Sequence, residues 1–264
     1  MSFFDAEAYL DRIGAPGART VRDVHRAHVA SIPFENLDPR RGVPVSLEAG
    51  DLQRKLVAER RGGYCFEQNL LLAGALEALG FGVEPMLARV RYGAPPDAIR
   101  PRSHLLLRVH EDGVTWHADV GFGRGTLVEP VPFGPGEARE MAGWCFRVVA
   151  DGEELVLQTM EDSGWRDLYG FIPSRVPLVD IETSNWFTST HPRSPFVTGL
   201  IASIQRLDGT RVTLTDWGGE LAFSQQLPAE TTVTPVTQDE IPALLEDHFG
   251  LSGVPLGPAV VNAD

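Results

Sequence analysis

The sequence predicts an α+β fold: a helical unit over roughly the first 80 residues, then a strand-rich body. Three observations carry this. Apolar residues recur at helical spacing as far as Leu79, and from Met86 onward the period changes to two. Between Val131 and Leu178 short apolar runs alternate with turn residues, the pattern of a small barrel or curled sheet.

Ala6 to Ile13 reads as a short helix closed by Gly14 and Pro16, and Thr20 caps a second one that Pro33 ends. Val21, Val24, His28 and Val29 share a face of that second helix. His25 and His28 lie three apart on it, a spacing that can hold a metal. No acidic or cysteine partner stands at suitable local spacing, so hydrogen-bonded surface or core histidines are the plainer reading. Ile32-Pro33-Phe34-Glu35-Asn36-Leu37 is expected as a loop with an apolar anchor beside two polar groups, and Leu47 to Glu59 as a helix capped by Ser46. Cys65 then opens a helix from Phe66 to Leu79. Leu72, Leu76 and Leu79 form its stripe, Phe66, Leu70 and Ala73 lie beside it, and Gly80 and Gly82 stop it.

Met86, Ala88, Val90 and Tyr92 alternate with Arg89 and Arg91 as a strand, and the proline-bearing stretch Gly93 to Arg102 is a loop. Two strands follow. On the first, Leu105, Leu107 and Val109 point one way and His104, Leu106, Arg108 and His110 the other. On the second, Val114, Trp116, Ala118 and Val120 oppose Thr115, His117 and Asp119. If both apolar faces enter one core, paired residues must have numbers with an odd sum, because a slip of one turns a strand inside out. Every such register puts His104 and Asp119 on one face. A loop of His110 to Gly113 sets them directly opposite, and a tighter Asp112-Gly113 turn leaves them diagonal neighbours. Either lies within hydrogen-bonding reach.

Gly121-Phe122-Gly123-Arg124-Gly125 comes next. Its alternate glycines can cradle a phosphate or pantetheine chain, but with no helix signal behind them a plain turn is the default. Phe146 to Val149, Leu155 to Leu157 and Leu168 to Phe171 are the expected later strands, and Cys145, between Trp144 and Phe146, reads as a buried structural residue. Asp180 to Phe187 leads into a polar loop, Thr188 to Pro192. A hairpin from Ile201 to Leu214 and a helix from Gln238 to Phe249 close the fold, with a loosely ordered tail after Gly250.

A net charge of −13 with no dense basic run argues against nucleic acid or an anionic membrane as partner. No apolar run reaches the roughly 18 residues that a membrane span needs. The first residues, Met1-Ser2-Phe3-Phe4-Asp5, lack the basic-then-apolar form of a signal peptide. Cys65 and Cys145 are the only cysteines and suit a reducing compartment, so a cytoplasmic protein is expected.

A thiol at a helix start sits where unpaired N–H groups and the helix dipole favour negative charge, which lowers its pKa. The glycines before it, Gly62 and Gly63, let the backbone approach a substrate or take positive φ. Cys65 with His104 and Asp119 fits a nucleophile, a base and an orienter, and a structural His–Asp pair beside an inert cysteine fits the same spacing.

Five segments add to this reading. Arg61-Gly62-Gly63-Tyr64-Cys65, with Asn69 following, resembles the active-site motif of the arylamine N-acetyltransferases, and Ile32 to Leu37 resembles that family's upstream motif. Ser103-His104-Leu105-Leu106-Leu107 and Asp119-Val120-Gly121-Phe122-Gly123 resemble the segments that carry its histidine and aspartate, with matching separations of 39 and 15 residues between Cys65, His104 and Asp119. Ser189-Thr190-His191-Pro192 is similar to a motif of bacterial members. A serine, Ser103, stands where the family usually has threonine and keeps the hydroxyl.

The resemblance implies an N-terminal helical bundle (residues 1–84), a central β-barrel (85–190) and a C-terminal α/β lid (191–264), with a triad like that of the cysteine proteases. It implies Cys65, His104 and Asp119 as that triad, ping-pong transfer from acetyl-CoA through a cysteine thioester to arylamines, hydrazines or arylhydroxylamines, and no metal. Ser103, Phe122 and Gly123 match positions along the CoA pantetheine path in relatives, and His191 one that contacts CoA in bacterial ones. Nearest to the His104 strand, Arg89, Arg91, Arg100 and Arg102 form a basic cluster that could meet CoA phosphates; a solvated strand face is the plainer reading. The alternative within the family is an amide synthase that closes a polyketide macrolactam with the same triad. A cysteine protease or transglutaminase and a non-catalytic binding module are the other readings. A homodimer is compatible with all of them.

Overall fold

Side-chain caps start the first two helices. The Asp5 carboxylate accepts the Ala8 N–H at 3.0 Å to open α1 (Ala6–Arg12), and the Thr20 hydroxyl accepts that of Asp23 at 3.1 Å to open α2 (Val21–Ser31). The structure is a computed structural model describing residues 4–95, 98–217 and 219–257, so Met1 to Phe3, Pro96, Asp97, Gly218 and the tail from residue 258 lie outside it. Phe34–Glu35, expected as loop, is a short strand, β1, followed by α3 (Leu37–Arg40). The helix anticipated over residues 47–59 is α4 (Ala49–Leu52) continuing as a π-helix (Gln53–Ala58). Ser46 does not cap it: its hydroxyl donates to Asp51, and Glu48 holds the cap position without a side-chain bond. The wide turn closes through Glu59 N–H to Arg54 and Arg61 N–H to Lys55 carbonyls.

Helix α5 (Cys65–Ala78) is buried almost all round, with Phe66, Leu71, Leu72, Ala75 and Leu76 sealed from solvent. Such a helix is a core element, and a fully buried side chain of this size contributes about 1.5–3 kcal/mol. Its N-terminus is closed by the Glu67 carboxylate, which accepts the Tyr64 N–H at 3.1 Å.

Eight antiparallel strands form the central sheet: β2 (Gly82–Val90), β3 (His104–Glu111), β4 (Val114–Ala118), β5 (Val131–Pro132), β6 (Arg139–Met141), β7 (Trp144–Asp151), β8 (Glu154–Glu161) and β9 (Gly164–Phe171). They run in the order β5-β4-β3-β2-β9-β8-β7-β6 and curl into a nearly closed barrel. The segment after β5 bridges the two edges, Gly136 N–H donating to Val148. Inside lie Met86, Ala88, Leu106, Phe146, Leu157, Leu168 and Phe171, while Leu107, Val109, Trp116, Ala118 and Val120 turn outward onto α1, α2 and α5. Leu107 pairs with Ala118 and Glu111 with Val114, so the odd-sum register holds and the two-residue Asp112-Gly113 turn is the one used. Both turn residues have positive φ, 47° and 81°, as that hairpin requires. Cys145 is part-exposed rather than buried. On a strand, a residue between two buried aromatics, Trp144 and Phe146, must point to the other face.

The last part begins with α6 (Leu178–Thr190), which absorbs Thr188 to Thr190 of the expected loop. The Ser189 and Thr190 hydroxyls donate to the carbonyls of Asn185 and Trp186, four residues back, and so remain within the helix. After α7 (Pro195–Thr198) come β10 (Ile201–Gln205), β11 (Arg211–Thr215), β12 (Ala222–Leu227), β13 (Glu230–Pro235) and α8 (Ile241–Phe249). The sheet order is β1-β10-β11-β12-β13, so residues 34–35 stitch the helical unit to it. The β12–β13 hairpin had no sequence signal, since β13 is polar and exposed along its length. Leu251, in the supposedly loose tail, is buried with α8 against the sheet. Among the described residues no helix is long and apolar enough to cross a membrane.

Candidate active site

All three parts of the chain meet at the start of α5. The cluster around Cys65 takes Phe34 from β1, Tyr64 and Phe66, Leu87 from β2, Leu105 from β3, Ile181 from α6 and Ile201 from β10. Close backbone packing explains the glycines. A Cβ at Gly62 would sit 2.2 Å from the Pro33 carbonyl oxygen, and one at Gly121 would sit 2.8 Å from Cys65 Cα. Neither position requires positive φ or open space for a substrate: the glycines seat the cysteine turn between β1 and the end of β4.

Cys65 occupies the first turn of α5, with its thiol 3.6 Å from the Ser103 carbonyl oxygen. His104, at the head of β3, donates from Nε2 to Asp119 Oδ2 at 2.7 Å, which leaves Nδ1 as the nitrogen available to the thiol. Asp119 lies just past β4 as the diagonal neighbour that the two-residue turn dictates. Its carboxylate is fully sealed and fully matched. Oδ1 accepts from Asn69 Nδ2 and the Gly121 N–H, both at 2.9 Å, and Oδ2 accepts from His104 and from the Tyr169 hydroxyl at 2.8 Å.

The electrostatics follow. Burial would lower the His104 pKa, but the Asp119 charge and hydrogen bond, with the adjacent Cys65, outweigh it and push it up to about 10. Burial would raise Asp119, but His104, Asn69 and the Gly121 N–H hold it well below the usual carboxylate range. Both groups are therefore charged at neutral pH. Burial first, then the Asp119 charge, keeps the Tyr169 hydroxyl protonated.

Asn69 sits one turn beyond Cys65 on the same face of α5. Its amide also donates to the Leu105 carbonyl at 2.7 Å and its oxygen accepts the Val120 N–H at 3.0 Å, tying helix, β3 and β4 together. The sequence marks Asn69 only as part of a motif and Tyr169 only as part of an expected strand. Nothing local marks Tyr169, which reaches Asp119 only because the sheet places β9 beside β2. His117 continues the chain, donating to the Tyr169 oxygen at 2.7 Å, and burial lowers its pKa to about 4.

The other sequence candidates distribute unevenly. Phe122 meets the His104 ring edge-on, centroids 5.1 Å apart, and also packs on Tyr169. Gly123 opens a 3₁₀ turn (Gly123–Gly125) at φ 78°, and its carbonyl accepts from Gln205 Nε2 at 3.0 Å. His191 stacks on Phe187 with centroids 4.5 Å apart and accepts the Arg193 N–H; it makes no hydrogen bond to Cys65, His104 or Asp119. Of the four arginines near β3, Arg91 is taken up by Asp151, Glu154 and Asp167, and Arg89 donates to the Arg100 carbonyl. No group of His, Cys, Asp and Glu among the described residues has the form of a metal site. A groove of about 670 Å³ lies on another flank of α5, between Leu47, Leu70, Val83 and Trp186, and does not include Cys65.

This architecture is shared. Residues 18–254 match a family model described as N-acetyltransferase. An arylamine N-acetyltransferase of Mycolicibacterium smegmatis is 40% identical over 209 residues, covering 76% of each chain. The arylamine N-acetyltransferase / N-hydroxyarylamine O-acetyltransferase of Salmonella typhimurium is 33% identical over 252 residues, covering 92% of this chain and 88% of its own. The solved structure of Mycobacterium marinum arylamine N-acetyltransferase in complex with CoA superimposes with a TM-score of 0.89 at 38% identity, covering 96% of this chain and 95% of that one. With the match running over nearly the whole chain, this protein belongs to the arylamine N-acetyltransferase family.

Proposed function

We propose that the chain transfers an acetyl group from acetyl-CoA, through a Cys65 thioester, to an aromatic amine, hydrazine or arylhydroxylamine. The observation that carries this reading is a His104 ring held by Asp119 at 2.7 Å beside a thiol at a helix start. In the first half-reaction the Cys65 proton resides on His104 and the sulfur attacks the thioester carbonyl carbon. The tetrahedral adduct collapses, the C–S bond to CoA breaks, and His104 returns its proton to the leaving thiolate. In the second, the amine lone pair attacks the acyl carbon, His104 takes the proton from nitrogen, and Cys65 leaves. Asp119 keeps the ring in the Nε2–H tautomer throughout.

Arylamines suit the site as acceptors because Phe34, Tyr64, Phe66 and Phe122 surround it with flat apolar surface, and their low basicity leaves the nitrogen lone pair free at neutral pH. Ser103, Phe122 and Gly123 would line the pantetheine path and His191 would touch CoA; Arg91, already matched by three carboxylates, is not a candidate for its phosphates. In this reading residues 1–84 supply the nucleophile, 85–190 the base and orienter, and 191–264 the lid. Incubation with acetyl-CoA and a panel of aromatic amines and hydrazines should yield N-acetylated product and free CoA in equal amounts. Transfer from a long polyketide-like thioester, with none from acetyl-CoA, would make the chain an amide synthase instead.

A further inference from the structure

Helix α2 lies behind the triad and turns two sealed histidines toward it, His25 and His28. Neither ring hydrogen-bonds to Cys65 or His104. His25 Nε2 accepts the backbone N–H of Asp119 at 3.2 Å. His28 bonds the Gln68 side-chain oxygen at 2.6 Å through Nε2 and the Tyr9 hydroxyl at 2.8 Å through Nδ1. The Gln68 amide donates in turn to the carbonyls of Pro33 at 2.7 Å and Gly63 at 3.2 Å. One helix thus grips the peptide of the orienting aspartate with one ring and, through Gln68, the turn that delivers the cysteine with the other.

The partners fix opposite tautomers. A backbone N–H can only donate, so His25 must present a bare Nε2 and carry its proton on Nδ1, which faces the Val128 carbonyl without a well-aligned bond. The Gln68 amide hydrogens are spent on two carbonyls, so its oxygen accepts and His28 must carry its proton on Nε2. We propose that His25 and His28, as neutral rings in these two tautomers, are positioning residues that set the Asp119 peptide and the Gly63–Cys65 turn in register with His104. Burial supports the neutral forms, lowering His25 to about 4 and His28 to about 3. The groups facing His25 are Asp119, Glu129, His28 and His117, and those facing His28 are Tyr9, Gln68, His25 and Arg12. The proposal deepens the reading of Cys65 as the nucleophile and rests on it.

The test uses iodoacetamide labelling of Cys65, followed by mass spectrometry against Cys145 as internal reference, which needs neither acetyl-CoA nor amine. His25→Leu removes the acceptor while filling the space; His25→Gln restores an acceptor. In folded His25→Leu the Cys65 rate at neutral pH should fall about 10- to 100-fold, the cost of orphaning one buried N–H, and its pH profile should move upward, with Cys145 unchanged. His25→Gln should recover most of the loss. A Leu variant that labels like the parent, or a Gln variant no faster than the Leu one, overturns the proposal. Should the Leu variant not fold, ¹⁵N shifts of the ring nitrogens in the unaltered protein decide it: Nδ1–H for His25 and Nε2–H for His28 from pH 6 to 8 are required. Any other form of either ring overturns it. A parent that labels as expected but takes no acetyl group would refute the transferase reading and leave this one standing.

Discussion

Two buried polar clusters flank the first turn of α5, and they are built differently. On the barrel side one carboxylate, Asp119, is met by four donors, of which only His104 carries charge. On the other side Lys55 bridges Asp38 and Glu67 at 2.6 and 2.7 Å, and Arg61 bridges Glu35 and Asp38 at 2.7 and 3.1 Å. Burial raises Glu67 despite Lys55, whereas at Asp38 Lys55 and Arg61 overcome burial and lower its pKa. The ion network clamps backbone at two places: Glu67 takes the Tyr64 N–H, just before the cysteine, and Glu35 that of Leu37 at the start of α3. It reaches no titrating ring. The Asp119 cluster ends on an imidazole beside a thiol, so the same matching of buried charge acts there on the two groups that the proposed reaction uses. One cluster should govern chemistry and the other stability.

The sharpest way to break that distinction is Asp119→Asn. The amide preserves shape but favours the wrong imidazole tautomer, a change that costs about 10⁴ in kcat in the serine protease template. The variant should still fold and should lose nearly all transfer activity in a steady-state assay. Retention of more than about a tenth of the activity, far above that template loss, would make Asp119 a structural residue.

Acid separates the clusters next. Three sealed histidines stand outside the ion network, which contains none: burial lowers His25, His28 and His117 to about 4, 3 and 4, and two of them reach Asp119, His25 at its N–H and His117 through Tyr169. Their folded values lie below the unfolded one, so the stability they represent is complete above about pH 6.5 and is lost as pH falls from there toward 4. With three protons taken up only on unfolding, the slope should approach about 4 kcal/mol per pH unit below pH 6. His104 is protonated in both states there and does not oppose this; its own contribution is lost only as pH rises through about 10. Urea midpoints from pH 7 to 5 measure the slope, and a value near one proton, about 1.4 kcal/mol per unit, would mean that these rings are not all neutral when folded.

The smallest expected effect is on the other side. Lys55→Met leaves Glu67 sealed without its cation. The cost should be about 3 kcal/mol, at the low end for a broken buried pair because Asp38 keeps some solvent. Melting should drop by about 6–12 °C. Labelling of Cys65 in the folded variant should change less than about threefold, since the network bears on the cysteine only through backbone. A loss of reactivity as large as that of Asp119→Asn would erase the distinction between the clusters.

Much of the Asp119 side was legible beforehand. Hydrophobic alternation alone put His104 and Asp119 on one face, because strand period and a shared core leave only odd-sum registers. The choice between direct and diagonal pairing was not legible, since it depends on whether Glu111 and Val114 close the hairpin. Tyr169 and His25 escaped because they reach Asp119 through tertiary packing, one across the sheet and one from a helix 94 residues away. Gly62 and Gly121 were visible as glycines, but the chain segments that crowd them were not. The same limit applied to Ser189 and Thr190, whose polarity suggested a loop until their hydroxyls found carbonyls within the helix.

The central claim is that Cys65 carries the acyl group between donor and acceptor. The direct measurement is intact-protein and peptide mass spectrometry after mixing with acetyl-CoA and no amine. The account predicts a gain of one acetyl group at Cys65, none at Cys145, release of about one equivalent of CoA per chain, and discharge of the adduct when an arylamine is added. Acetylation of an arylamine by a Cys65→Ser variant at the parent's rate, or with no acyl adduct ever forming on Cys65, would contradict it.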